Sequence, residues 1–356
     1  MNETDSLLKL SYSKLTSKKI TSLITTFNID EIFEKDLSEI NNVIDIQKEE
    51  WENVKNIKVE KAKKILSDVG AKIIKINDED YPENLRNVIN PPPILYVRGK
   101  LEMEDSTAVG IVGSRNCTEY GRTVAKTLAK ELAPFGITII SGLARGIDTA
   151  AHFGALEGGG RTIAVMATGI ERIYPSSNRN LSSHIVKNGA LITDFPPLTP
   201  PIGYHFPLRN RIISGLSNAI IAVQAEKRSG VFSTVSWALD YNREVFAVPG
   251  NVNVRQSMGT NKLIKMGASV VTSSEDILQA LNISPKKKDK GEEMPLSLPG
   301  DEKIIYEMLG TEPIPVDAIL EMTGFTIQHI TSILLLLELK GLIREVGGKR
   351  YIRNYV

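Results

Sequence analysis

The chain has 356 residues, 42% hydrophobic and 24% charged, with a net charge of only +1; it is long enough for more than one domain, and its total charge by itself argues for no partner. A single cysteine, Cys117, excludes an internal disulfide framework and suits a reducing cytoplasm, where it reads as a small packing residue. No segment approaches the roughly 18–20 apolar residues of a membrane span, and MNETDSLLKLSYSKLTSKK carries no apolar core of a signal peptide, so a soluble, cytoplasmic protein is expected.

Residues 1–77 are polar and net acidic, with −3 charges from Met1 to Asp80. LLKLSYSKLTSKKITSLITTFNIDEIF and VKNIKVEKAKKILSDVGA repeat apolar residues at three- and four-residue spacing, which predicts a small helical module of the helix-hairpin-helix or SAM type. A connector, DEDYPENLRNVINPPPILYVRGK, follows. Its prolines at 91–93 bar a helix, and ILYVRG reads as a short strand.

From Thr107 short apolar runs alternate with helical patterns. TAVGIVGS, GITIISG, TIAVMATG, GALITDF, AIIAVQA, REVFAVPG and GASVVTS are the predicted strands. Strands apolar on both faces imply a mostly parallel sheet covered by helices, a Rossmann-like doubly wound α/β domain over 78–283 with its ligand site at the carboxyl ends of the strands. SPKKKDKGEEMPLSLPG, 284–300, reads as a charged linker. The remainder, 301–356, reads as three helices and a hairpin turning at Gly347-Gly348, a winged helix.

Neither G-x-G-x-x-G nor a P-loop is present. Instead, five strand ends carry small or basic residues. The first has Gly113, Ser114 and Arg115, whose amides, hydroxyl and guanidinium suit a phosphate or carboxylate. SGLARGID follows, with Ser141, Gly142, Arg145 and Gly146, and with Asp148 as a helix-start residue. Asp148 and His152 share a helix face, but no third ligand is near and no metal is expected. At Arg209, Asn210 and Arg211 two readings stand open: the arginines hold phosphates, or they lock the loop through carbonyl contacts. Ser229-Gly230 and the stretch from Gly259 to Asn261 again precede helices. Residues Arg209 to Lys265 carry a net +5. Together these rims suggest an electropositive ledge for several phosphates in a row, against the plainer reading of a solvated charged face. Tyr174, Phe195, Tyr204 and Phe206 stand near it as possible stacking residues or as core.

The series GSR, SGLARGID, GIERIYP with Asn178, FPLRNRIISGLS, SGVFSTVSWAL, VFAVPG and GTNKLIKMGA resembles the DNA-processing protein A (DprA, or Smf) family over about residues 78–280, and the tail resembles that family's winged-helix domain. The resemblance implies a non-enzymatic, cofactor-free protein that binds single-stranded DNA. It also implies a homodimer formed through the Rossmann domain and delivery of the RecA recombinase to incoming strands in natural transformation. It implies phosphate contacts at Ser114, Arg115, the Gly142 to Gly146 loop and Arg209, Asn210 and Arg211, with auxiliary contacts at Arg172, Asn178, Arg179 and Lys262. Three positions depart from the family pattern: Ser176 stands in place of a lysine after the YP pair, Gln224 in place of a glutamate, and Thr193-Asp194 in place of Ser-Glu. Two other functions compete. A nucleoside-monophosphate phosphoribohydrolase would need a glutamate where Trp237 stands, because a carboxylate stabilises the cationic sugar as the base leaves. A duplex-DNA regulator would need basic residues on the third helix of the winged domain; these are sparse before Lys340, while Arg344, Lys349 and Arg350 lie in the wing, which favours protein contact.

Overall fold

The computed structural model describes residues 2–283, 298, 300–310, 313–340 and 342–353, and its chain forms two compact units, 1–285 and 286–356. Apart from residues 298 and 300, the expected linker lies outside the described residues.

The first unit opens with five helices, α1 (Glu3–Tyr12), α2 (Ser17–Thr26), α3 (Leu37–Asn41), α4 (Lys48–Lys55) and α5 (Glu60–Val69). Side-chain caps start the first two: Asn2 accepts from the Asp5 N–H and Thr16 from the Lys19 N–H. Their apolar faces bury Leu8, Leu10, Leu23 and Trp51, with Trp51 stacked 5.0 Å from Phe33. Strand β1 (Ala71–Lys75) follows, inside the stretch whose spacing predicts only helices. It pairs antiparallel with β2 (Ile94–Gly99), and β2 pairs antiparallel with β6 (Gly189–Thr193). The helical segment thus leads straight into the main sheet. Tyr12 donates to the Pro197 carbonyl at 2.5 Å, and Ser11 and Tyr96 share a hydrogen bond at 2.5 Å.

The remaining strands are β3 (Ala108–Val112), β4 (Thr138–Ser141), β5 (Thr162–Val165), β7 (Ala219–Ala222), β8 (Glu244–Ala247) and β9 (Ser269–Val270). The sheet order is β1-β2-β6-β5-β4-β3-β7-β8-β9, parallel from β6 to β9. Every residue of β3 through β7 is buried, as continuous Val, Ile and Ala runs require when helices cover both faces. Those helices are α6 (Glu83–Arg86), α7 (Glu119–Leu132), α8 (Ile147–Glu157), α9 (Arg179–Lys187), α10 (His205–Leu216), α11 (Val231–Asp240), α12 (Met258–Lys265) and α13 (Ser274–Ala280). From β3 the chain winds one way through β4, β5 and β6, and the other way through β7, β8 and β9. The adjacent carboxyl ends of β3 and β7 are therefore the topological switch point, where open α/β sheets bind ligands.

The second unit has α14 (Gly300–Met308), α15 (Val316–Thr323) and α16 (Ile327–Leu339), with β10 (Ile314–Pro315), β11 (Ile343–Glu345) and β12 (Arg350–Arg353) in the order β10-β12-β11. Ile305, Ile319, Ile330 and Leu337 form its core. Gly347 and Gly348, at φ 97° and 63°, make the hairpin turn that only glycine adopts freely. This is a winged helix. Among the described residues no single helix is long and apolar enough to cross a membrane.

Candidate nucleic-acid interface

At the switch point β3 runs into Gly113, where an added Cβ would lie 2.5 Å from Cγ1 of Ile147. Gly146 sits at φ +80°, and a Cβ there would fall 2.4 Å from the Ser114 carbonyl oxygen. The two loops therefore pack main chain against main chain, and the Ile147 N–H donates to Ser114 O at 3.3 Å. On the other flank the Ser114 N–H donates to Gln224 O at 2.7 Å. The Gln224 amide accepts from the Thr118 N–H and donates to the Thr118 hydroxyl, each at 2.9 Å, fixing the start of α7. Held on both sides, this loop sends Ser114 and Arg115 outward.

They line a pocket of about 390 Å³, together with Gly113, Arg209, Asn210, Ser229 and Gly230. The exposed Arg115 guanidinium lies 4.6 Å from the centre of the Phe206 ring, and that ring is 5.8 Å from Tyr174, itself 47% exposed. Among the described residues no carboxylate forms an ion pair with Arg115. The N-terminus of α11 opens on the same pocket and adds the positive end of a helix dipole. Two further charged residues on the pocket wall escape the motif reading. Arg228 is exposed, and Glu226 pairs with Arg255 at 2.9 Å. Their signal is the EKR triplet just ahead of Ser229.

Arg209 chooses between its two readings. It is only 4% exposed and braces the loops: Nη1 donates to Gly142 O at 2.7 Å and to Val165 O, while Nε donates to Asn210 Oδ1 at 3.3 Å. Asn210 in turn donates to Gly230 O at 3.3 Å. Asp148 accepts the N–H groups of Gly142 at 3.1 Å and Ala144 at 3.3 Å. Burial pushes the Arg209 guanidinium down to about 10 and the Asp148 carboxyl upward, and the charge of each opposes the shift of the other. The pair forms the floor of the pocket, a positive charge beneath it with its donors engaged.

Several expected contact residues are engaged elsewhere, so the ledge is narrower than the motifs suggest. Ser141 is buried and donates to Ile111 O at 2.6 Å. Gly142 is buried, with its N–H on Asp148 and its carbonyl on Arg209. Asn178 donates to Leu143 O and to the Thr149 hydroxyl, each at 2.9 Å, holding the SGLARGID loop from behind. Asn261 grips Gly250, accepting its N–H at 3.2 Å and donating to its carbonyl at 2.8 Å. Arg211 leaves the rim altogether: it pairs with Asp194 at 2.5 Å, donates to Asn90 O at 3.2 Å and lines a separate cavity. Arg145 is exposed beside Ala144, a residue of the pocket wall. Arg172 and Arg179, exposed on either side of Tyr174, and Lys262, 5.5 Å from the Phe232 ring, lie outside the pocket lining. Phe195 and Tyr204 pack on His205, at 4.4 Å and 4.5 Å between ring centres. His152 Nδ1 meets the Thr162 hydroxyl at 2.7 Å; that hydroxyl donates to Ile139 O, so the ring nitrogen carries the proton. No group of three or more His, Cys, Asp or Glu able to hold a metal occurs among the described residues.

Comparison with known proteins follows the same outline. The family model for DNA recombination-mediator protein A matches residues 72–282, and that for the DprA winged helix domain matches 292–349. Protein Smf of Synechocystis is 35% identical over 316 residues, covering 78% of this chain and 79% of its own length. DNA processing protein DprA of Bacillus subtilis is 43% identical over 213 residues, covering 60% and 72%. The solved structure of DNA processing protein A from Streptococcus pneumoniae superposes with a TM-score of 0.70 at 33% identity, covering 78% of this chain and 98% of that one. A structure of the Helicobacter pylori protein, solved in a study of its single-stranded DNA binding mode, gives a TM-score of 0.54 at 31% identity, covering 60% and 95%.

Proposed function

The chain belongs to the DNA recombination-mediator protein A family, and from that premise we propose that its first unit holds single-stranded DNA by the sugar-phosphate chain at the β3/β7 switch point and so mediates recombination. The observation that carries this reading is Arg115: an exposed guanidinium resting on Phe206, with Tyr174 next in line. A planar fork of donors grips a phosphate, and the adjoining rings offer a platform on which a base stacks for about 1–3 kcal/mol. Neither contact reads sequence, so binding is sequence-tolerant.

The protein acts as a binder without catalysing a reaction. Trp237, where a nucleotide-cleaving enzyme would carry its glutamate, lines the other cavity, and the carboxylates near the phosphate pocket are engaged, Asp148 on amides and Glu226 on Arg255. In this reading the protein works in the cytoplasm as a homodimer and hands strands to the RecA recombinase during natural transformation. The winged helix is a protein-contact module, since α16 exposes Leu335 and Leu336 where a duplex reader presents polar groups.

Fluorescence anisotropy with labelled oligothymidine tests the site. Arg115→Ala weakens binding by about tenfold or more, the worth of one charged hydrogen-bond donor, and lowers the slope of log K against log salt by about 0.7. Unchanged affinity and slope refute the assignment.

A further inference from the structure

Arg211 and Asp194, drawn away from the phosphate pocket, help to build a second cavity of about 290 Å³ on another face of α10. Its walls are flat and apolar: Phe195, Trp237, Tyr241 and Leu208, with the Trp237 and Tyr241 rings 5.7 Å apart and 30° from parallel. Leu208 is 48% exposed, so the cavity opens to solvent beside an apolar lip.

Two polar atoms on these lining residues are buried and lack any hydrogen-bond partner: Asp194 Oδ1 and the Tyr241 hydroxyl. The other oxygen of Asp194 is held by Arg211, and burial raises the Tyr241 phenol above its ordinary value, so it is an O–H donor at neutral pH. Leaving such groups unpaired costs roughly 1–3 kcal/mol each, and native proteins keep such groups where another molecule completes them. The missing complement must be planar to fit between the rings. It must offer an N–H to the carboxylate and, beside it, an acceptor to a hydroxyl or guanidinium.

We propose that this cavity is a nucleobase subsite that prefers guanine. Guanine presents N1–H and the N2 amino group next to O6, so its donors meet Asp194 and its O6 meets Arg211 or Tyr241. Thymine offers a single N–H between two carbonyls and satisfies the carboxylate poorly. Because α10 turns Phe206, Arg209 and Asn210 toward the phosphate pocket and Leu208 and Arg211 toward this cavity, the two sites lie on different faces of one helix, about 10–12 Å across. The subsite does not depend on the strand-binding reading, since a free nucleoside can fill it.

The test is titration of the full chain with guanosine, which has no phosphate to occupy the first pocket, followed by Trp237 emission. Trp51, only 1% exposed, supplies a constant background. Guanosine should quench saturably and bind about tenfold tighter than thymidine, the discrimination expected from a paired donor and acceptor edge. Asp194→Asn should bring guanosine to the thymidine level. Tyr241→Phe removes a hydroxyl that has no partner in the free protein; it should leave thermal stability unchanged and weaken guanosine severalfold, an effect that a purely structural role would not produce. Arg115→Ala should leave the guanosine titration unaltered. Absence of saturable quenching overturns the proposal, as does equal binding of guanosine and thymidine. Loss of guanosine binding in Arg115→Ala overturns it too, by placing the nucleoside in the phosphate pocket.

Discussion

Arg209→Met separates a brace from a contact. The substitution keeps an unbranched apolar stem of similar reach but removes the donors to Gly142 O, Val165 O and Asn210 Oδ1. Two buried carbonyls lose a charged donor, at about 1–3 kcal/mol each, and Asp148 loses its buried counter-charge. Because these losses overlap, about 3–5 kcal/mol is expected, the range for breaking a buried ionic contact. That is a large fraction of the roughly 5–15 kcal/mol that holds a typical domain together. Urea unfolding followed by tryptophan emission reads the first unit selectively, because Trp51 and Trp237, the chain's two tryptophans, both belong to it. Asp148→Asn added to Arg209→Met should recover part of the loss, since a neutral amide oxygen still accepts the two N–H groups without a buried charge. Arg115→Ala, at an exposed side chain, should move stability by no more than about 0.5 kcal/mol while weakening DNA binding. If Arg209→Met unfolds within 1 kcal/mol of the native chain (a margin set by) yet weakens DNA binding as Arg115→Ala does, Arg209 is a contact and the brace argument fails.

Two other substitutions bear on the same framework. Gly146→Ala forces a side chain into a positive-φ position and against the Ser114 carbonyl, so a loss of about 2–4 kcal/mol is expected in the same unfolding assay; Gly230→Ala, at φ −60° with open space around its Cβ, should be nearly neutral. His152 gives a pH signature. Burial, reinforced by the Arg209 charge, holds its imidazole down to about 3 from an ordinary 6.5. The unfolded chain therefore binds the proton that the native chain refuses, and the contribution, fully present above pH 6.5, falls away as pH drops toward 3. About 2 kcal/mol should be gone by pH 5, and His152→Gln should flatten the stability profile by that amount. A variant with the wild-type slope refutes the assignment.

The alternation of apolar runs with helical spacing made the parallel sheet legible, because strands buried on both faces admit little but Val, Ile and Ala. Strand β1 was not legible: AKIIK buries only Ile74 fully, and its pairing with β2 depends on residues more than twenty positions away. The binding rim was legible as a set of strand ends, since glycines at Gly113 and Gly146 mark backbone crossings that no side chain would tolerate. Which polar residues on that rim remain open to a ligand was decided only in three dimensions. Arg209, Arg211 and Arg115 share one chemistry, yet one braces two loops, one pairs with a carboxylate in another cavity and one reaches solvent. Asn178 and Asn261 likewise carry the groups that bind phosphate, and use them on nearby backbone. A guanidinium or amide serves a phosphate oxygen and a buried carbonyl equally well, so residue type in linear order states the capacity to donate. Depth and neighbours, which exist only once the sheet has wound, choose the acceptor.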